Sequence, residues 1–406
     1  MFKPGIPALF CALFAAGCAS VGTGGRTLFV SSGGQIGAAA TEQNPLPSLA
    51  DAVAQAKPGD IIRLAPGTYH ESKTIRLQAN GTETQPIRVE CPSPDRAVLD
   101  FSAQAEDKKN SHGIDVAGDY WQLVGIEVAH AGSYGFFITG SHNLLDHCVS
   151  RENRNSGTEI STGGGYNLIQ YCQSYRNFDP KTSGEDADGF TAKHEVGPGN
   201  VFRGCLSYQN ADDGWDLWMA PNPVLIEDCV SVRNGYNLWH IYPYEGDGNG
   251  FKFGGNYVAT AHICRRCVSI ENPLNGFDQN HNIGPITVED CVAIRCGKGF
   301  SFPELPRTGQ VVLRNNTSFG CQNVLEPQVV SENNHWYPDI PVGVLGPLPR
   351  PGHRDRPHAG EVPTTSPAPI VVPQDAPEWG FPSDTPPVRD PELPTTQPST
   401  APPPAD

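Results

Sequence analysis

Six cysteines set in one local pattern constrain this chain more than any other feature. They occur as Asp146-His-Cys148-Val-Ser150, Gln170-Tyr-Cys172-Gln-Ser174, Arg203-Gly-Cys205-Leu-Ser207, Glu227-Asp-Cys229-Val-Ser231, Arg265-Arg-Cys267-Val-Ser269 and Glu289-Asp-Cys291-Val-Ala293. Successive cysteines lie 24, 33, 24, 38 and 24 residues apart. A seventh copy, Asn315-Asn316-Thr317-Ser318, follows 25 residues later with Asn in the cysteine position. Five residues past each cysteine stands an asparagine (Asn153, Asn177, Asn210, Asn234, Asn272), replaced in the last two copies by Cys296 and Cys321.

A repeat near 24 residues, built of short Val/Ile/Leu-rich runs between turn residues, is too short for the helix pairs of other solenoids. It predicts an all-β fold, a right-handed parallel β-helix of about ten coils stacked at a strand spacing of about 4.8 Å. The cysteines then form an inward ladder of small thiols, and the asparagines a ladder of side-chain amides along one turn. Positions that recur once per coil do not suit dedicated disulfide pairs. Cys264-x-x-Cys267 lacks the second pair or the histidine that a zinc site needs. Upstream, the helical period of residues 46–54 with Ser48 as cap predicts a short helix over the open N-terminal end, where bare strand edges invite aggregation.

The flanks read differently. Lys3, the apolar run 6–16 and Ala15-Ala16-Gly17-Cys18 make residues 1–17 a lipoprotein signal peptide, too short to span a bilayer. This predicts export, with a lipid anchor on Cys18 as the sole membrane contact, to the bacterial outer membrane or beyond it. An ordinary signal peptide with an incidental cysteine is the alternative. Residues 18–26 read as a linker, 27–337 as the solenoid and 338–406 as a tail. Nineteen of the 39 prolines fall in 341–406, a composition that cannot bury an apolar face. The net charge of −16 excludes the basic footprint of a nucleic-acid binder. An acidic polymer remains accessible if a divalent cation bridges the two. A monomer is expected.

Upstream of the cysteines runs a second repeated element, a glycine followed by an aromatic. Its copies are Asp188-Gly-Phe-Thr-Ala-Lys193, Asp213-Gly-Trp-Asp216-Leu217, Asn249-Gly-Phe-Lys252-Phe253, Asn275-Gly-Phe-Asp278-Gln279 and Lys298-Gly-Phe-Ser-Phe302. Stacked coil on coil, the aromatics point inward and their neighbours outward. Asp188 and Asp213 become vertical neighbours, Asp212 precedes at the same turn, and Asp216 follows on the adjoining strand. Four carboxylates on one small outer surface repel one another unless a cation sits among them. A cage of carboxylate oxygens favours Ca²⁺ over Mg²⁺. One coil later the slot above Asp216 holds Lys252, a candidate catalytic base whose protonation the cation opposes and the carboxylates favour. A solvated acidic patch with a structural ion pair is the bland alternative. The two longest repeats carry inserts beside this face, at 178–186 and 236–245, where binding residues are expected. Trp239, Tyr242 and Tyr244 are candidates to stack on sugar rings, and Arg233 and His240 to meet a carboxylate; loop packing explains the aromatics equally well.

Residues 27–335 resemble the family 9 polysaccharide lyases, whose typical member is a pectate lyase with a right-handed parallel β-helix. The likeness is most specific over 184–254, through Asp186-Ala-Asp188-Gly-Phe190, Gly197-Pro-Gly-Asn-Val-Phe-Arg-Gly-Cys205, Asp212-Asp-Gly-Trp-Asp216 and Asn249-Gly-Phe-Lys252. The resemblance implies Ca²⁺ held by Asp188, Asp212, Asp213 and Asp216, with Lys252 as the base. It implies β-elimination on a 4-linked uronate polymer, pectate or polygalacturonate, with an alkaline optimum. The lipobox and the Pro-rich tail lie outside it. Two rival classes remain at this level. A β-helical glycoside hydrolase would use two carboxylates as acid and base, although its usual His-Gly and Arg-Ile-Lys elements are not evident. A non-catalytic surface glycan binder would need no Lys252.

Overall fold

The computed structural model describes residues 25–107 and 109–339. The signal segment, Cys18, most of the 18–26 linker and nearly all of the Pro-rich tail lie outside the described residues. Three parallel sheets wind through the remainder. The first has twelve strands, from Thr27–Val30 to Val330–Glu332. The second has ten, from Ile75–Leu77 to Gln322–Leu325, and the third eleven, from Gly67–His70 to His335–Tyr337. Neighbours in each sheet are one coil apart in sequence, so the fold is a parallel β-helix.

The cysteine pattern marks the corner between first-sheet and third-sheet strands. The residue before each cysteine adopts a left-handed backbone, with φ of 54° at His147, 52° at Tyr171 and 57° at Asp228. Such residues cost on the order of 1 kcal/mol when they carry a Cβ. Their N–H groups are satisfied across the coil gap, Tyr171 donating to Arg203 O at 2.9 Å and Asp228 to Arg265 O at 3.1 Å. The bend turns the cysteine inward, and Cys148, Cys172, Cys205, Cys229, Cys267 and Cys291 are all buried. All ten cysteines among the described residues are free thiols. Cys291 does meet Cys264 across one coil, Sγ to Sγ 3.9 Å.

The asparagine column forms the expected ladder. Nδ2 of Asn153, Asn177, Asn210 and Asn234 each donates to the Oδ1 one coil on, at 2.9, 2.7, 2.9 and 3.2 Å. Each also donates to the serine of its own Cys-x-Ser unit, at 2.9 Å to Ser150, Ser174, Ser207 and Ser231. Those serines explain the glycines of the second element. A Cβ on Gly157, Gly189, Gly214 or Gly250 would run into the Oγ of Ser174, Ser207, Ser231 or Ser269. The two sequence patterns are therefore opposite sides of one close contact. A second ladder, Asn143–Asn167–Asn200, was not anticipated; each Oδ1 accepts a main-chain N–H from the coil before, at 2.8 to 3.0 Å.

Inside, Phe190, Trp215, Phe251, Phe277 and Phe300 stack at centroid separations of 5.0, 4.7, 5.0 and 4.8 Å. Each ring pair adds roughly 1 kcal/mol beyond its buried area. The helix Leu49–Val53, capped by Ser48 accepting from Asp51 N at 3.1 Å, covers the N-terminal end and buries Leu49 and Ala52.

Candidate active site

The second sheet positions the functional side chains by register. Phe190 pairs with Trp215 and Trp215 with Phe251, so the following residues pair in turn: Thr191 with Asp216, Asp216 with Lys252, Lys252 with Asp278. Because the aromatics are anchored inward, this lane faces away from the core. At the corner leading into the strands, Asp213 N donates to Asp188 Oδ1 at 3.1 Å. Asn249 in turn donates to Asp213 Oδ1 through its main-chain N at 2.6 Å and its Nδ2 at 2.9 Å. Asp188, Asp213 and Asn249 thus stand in one column, with Asp216 and Lys252 in the next.

The structure brings Asp188, Asp212, Asp213, Asp216 and Lys252 together. Carboxylate oxygens of Asp188, Asp213 and Asp216 lie within 4.8 Å of one another, as do those of Asp212, Asp213 and Asp247. Lys252 Nζ is 3.1 Å from Asp213 Oδ2 and 3.7 Å from Asp247 Oδ2. One expectation is corrected: the four aspartates are buried, not spread on an outer surface. The two inserts wall them in. Phe178 stacks on Trp239 at 4.7 Å, Glu245 N donates to Ser183 O at 2.9 Å, and Tyr244 Oη donates to Ala211 O at 2.5 Å. Asp212 ties both walls to the site, accepting from Asp186 N at 3.1 Å and from Asp247 N at 2.7 Å.

Burial dominates the electrostatics. It pushes the Asp212 carboxyl well above its ordinary range and Asp213 up to about 7, in the latter case against the pull of Lys252. Burial also works to raise Asp216, but Lys252 and then Lys193 outweigh it and hold that carboxyl low. Desolvation would lower the Lys252 ammonium; the surrounding aspartates, Asp213 foremost, override it and keep the group protonated to high pH. Among the described residues the four buried aspartates are faced by two ammoniums, the buried Lys193 and the largely enclosed Lys252, so fully ionising the cluster calls for more positive charge than these side chains supply. Asp213 Oδ2 is buried, and the group that compensates it is the Lys252 ammonium, 3.1 Å away. An all-oxygen donor set whose carboxyls are held up by burial and by one another fits a hard dication such as Ca²⁺, which would favour their ionised forms.

Of the remaining candidates only Tyr244 borders the cluster, through Ala211 next to Asp212. Arg233 pairs with Glu271 one coil on, Nε to Oε2 2.5 Å. Trp239 and Tyr244 are engaged in the loop contacts above, whereas His240 is exposed and Tyr242 is 99% exposed. Sequence reasoning missed Lys193, whose Nζ lies 3.0 Å from Asp188 Oδ2 and 3.1 Å from Asp216 Oδ2. It also missed Asp247, the exposed carboxylate at the mouth, and Glu159, buried beneath Thr191 in the same lane and accepting from Thr191 Oγ1 at 3.3 Å. Lys193 closes the first copy of the Gly-aromatic element but lies one residue past its strand, where alternation no longer fixes direction; Asp247 follows the 236–245 insert, which has no counterpart elsewhere in the repeat.

Comparison with known proteins agrees with this fold. The family described as Pel9A-like, right handed beta helix region matches residues 28–316. Pectate lyase L of Dickeya chrysanthemi is 39% identical over 336 residues, spanning 80% of this chain and 79% of that protein. The crystal structure of pectate lyase Pel9A superposes with a TM-score of 0.73 at 36% identity, covering 78% of this chain and 81% of the other. A rhamnogalacturonan lyase structure gives 0.66 at 25% identity, covering 76% and 87%.

Proposed function

The chain belongs to the family 9 polysaccharide lyases, the Pel9A-like right-handed β-helices, and from that premise we propose calcium-dependent β-elimination on pectate with Lys252 as the base. One observation carries the assignment of the base. Lys252 is in register directly above Asp216, with Nζ 3.1 Å from Asp213 Oδ2, at the edge of a buried carboxylate cluster.

Asp188, Asp212, Asp213 and Asp216 would hold the ion. When bound, Ca²⁺ supplies positive charge that offsets the uronate carboxylate and so acidifies the proton at C5. Neutral Lys252 Nζ takes that proton. The C–H electron pair becomes the C4=C5 double bond, and the bond from C4 to the glycosidic oxygen breaks. The departing oxygen gains a proton from solvent, giving a new reducing end on one fragment and an unsaturated uronide on the other. Lys252 then returns its proton to solvent. The aspartates around Lys252 favour its charged form. The base form therefore needs their charge offset and a raised pH, which supports an alkaline optimum. The loop wall formed by Phe178, Trp239 and Tyr244 excludes water from one flank of the cluster.

The test is to incubate the mature protein with polygalacturonate, with and without a chelator, and follow ultraviolet absorbance of the unsaturated product. Absorbance that needs calcium supports the lyase. New reducing ends without absorbance would indicate hydrolysis, and binding without cleavage a glycan binder. Rhamnogalacturonan run in parallel separates the two substrate names carried by the relatives. The lipobox-like Ala15-Ala-Gly-Cys18 motivates a companion proposal of export and lipidation. It fails if Cys18→Ala incorporates labelled fatty acid as well as the native protein does.

A further inference from the structure

The elimination makes no use of Lys193, yet its side chain, 6% exposed, is the more deeply held of the two ammoniums in the cluster. Its main chain belongs to the coil of Asp188. Lys193 N donates to Ile160 O at 3.2 Å, and Lys193 O accepts from Ser161 Oγ at 3.4 Å. Its side chain bridges to the next coil, reaching Asp188 Oδ2 at 3.0 Å and Asp216 Oδ2 at 3.1 Å. The other oxygen of each carboxylate is fixed by the main chain, Asp213 N on Asp188 Oδ1 at 3.1 Å and Trp218 N on Asp216 Oδ1 at 2.9 Å. Ser156 Oγ adds a bond to Asp188 Oδ2 at 3.1 Å. Each carboxylate is thus oriented from both sides, with Lys193 the charged member of both sets. Buried like charges this close are stable only when a cation compensates them.

We propose that Lys193 is the built-in counter-ion of the carboxylate cluster: a positioning residue that keeps Asp188 and Asp216 facing one another and sets how tightly the cluster takes a divalent cation. The second half of this rests on the calcium reading above. A permanent ammonium makes the metal-free fold tolerable and, by like-charge repulsion, limits the affinity for the ion. Lys252 shares in the charge compensation of Asp216, but its ion pairs are with Asp213 and Asp247, so the bridge that holds Asp188 and Asp216 together is made by Lys193.

The experiment is a set of thermal melts, in chelator and in saturating CaCl₂, with calcium binding measured by titration calorimetry. Native protein, Lys193→Met and Lys193→Arg are compared. Lys193→Met keeps the apolar stem and removes the charge. Its melting temperature should fall in chelator and recover in calcium, so the calcium-induced rise exceeds the native one. Its calcium dissociation constant should drop roughly tenfold, the cation having lost a repelling neighbour. Lys193→Arg retains the charge and should stay near native in both readouts. Equal calcium-induced rises and equal dissociation constants for native and Lys193→Met would overturn the proposal. Should Lys193→Met fold in neither condition, Lys193→Arg decides: native values support the counter-ion role, and a lost calcium response despite the kept charge overturns it. A native protein that shows no calcium response refutes the calcium reading instead. In that event the chelator melts alone judge Lys193, and identical values for native and Lys193→Met sink it.

Discussion

Replacing Asn210 by alanine should show how much of the fold rests on the amide ladder. Asn210 is completely buried and lies two residues before Asp212. Its Nδ2 donates to Asn234 Oδ1 and Ser207 Oγ, both at 2.9 Å, and to Ser174 O at 3.2 Å. Its Oδ1 accepts from Asn177 Nδ2 at 2.7 Å and from Asn177 N at 3.2 Å. Truncation removes all five and strands the main-chain N–H of Asn177 in a dry interior. At roughly 0.5–1 kcal/mol net per bond plus the desolvation of one orphaned donor, the loss is about 4 kcal/mol. For a domain of this size that lowers the melting temperature by on the order of 10 °C. Calorimetry of Asn210→Ala and Asn153→Ala in chelator is the assay. Asn153 makes three such bonds at 2.9 Å, donating to Ser150 and Asn177 and accepting from Ala131 N, so its variant should fall in the same direction but by less. Only Asn210→Ala should also weaken calcium binding, through its proximity to Asp212. A loss under about 1 kcal/mol would refute the ladder as a major source of stability.

Other perturbations probe the site and its surroundings. Gly214→Ala places a Cβ against Ser231 Oγ and 2.5 Å from Gly250 O. Because its backbone neighbours Asp213, a several-kcal/mol destabilisation with weakened calcium binding is expected by calorimetry. His262 is buried and accepts from Val224 N at 3.2 Å through Nδ1, and burial lowers its pKa to about 3. Its neutral form belongs to the fold, so the stability it contributes is present above about pH 6.5 and lost as pH falls toward 3. Urea titrations of His262→Gln, which keeps an acceptor for Val224, should show a shallower loss between pH 6.5 and 4 than the native protein. Tyr244→Phe deletes the tether to Ala211 O. It should raise KM several-fold while costing about 1 kcal/mol of stability.

The solenoid was readable because a stacked coil repeats its chemistry. Cys148 to Cys291 and Asn153 to Asn272 carry the period in residues with no other reason to recur. The site was readable for the same reason: register puts Lys252 above Asp216 once Trp215 and Phe251 are recognised as one column. Burial was not readable, because the inserts over 178–186 and 236–245 have no counterpart from which to infer their path. Their mutual packing, Phe178 on Trp239 and Tyr244 onto Ala211, encloses the aspartates and brings Asp247 to the mouth. Lys193 escaped for another reason. It lies just past the end of its strand, where alternation no longer fixes direction, so its reach toward Asp188 and Asp216 had to be seen. The Asn143–Asn167–Asn200 ladder had no accompanying cysteine to flag it.

The most direct measurement is the steady-state rate of Lys252→Met on polygalacturonate with calcium, followed by absorbance of the unsaturated product. Removing the base should lower kcat roughly a thousandfold. KM should stay close to native, and the calcium-induced rise in melting temperature should be retained. A variant that kept kcat within tenfold of native, with the same calcium dependence, would contradict the assignment of Lys252 as the base.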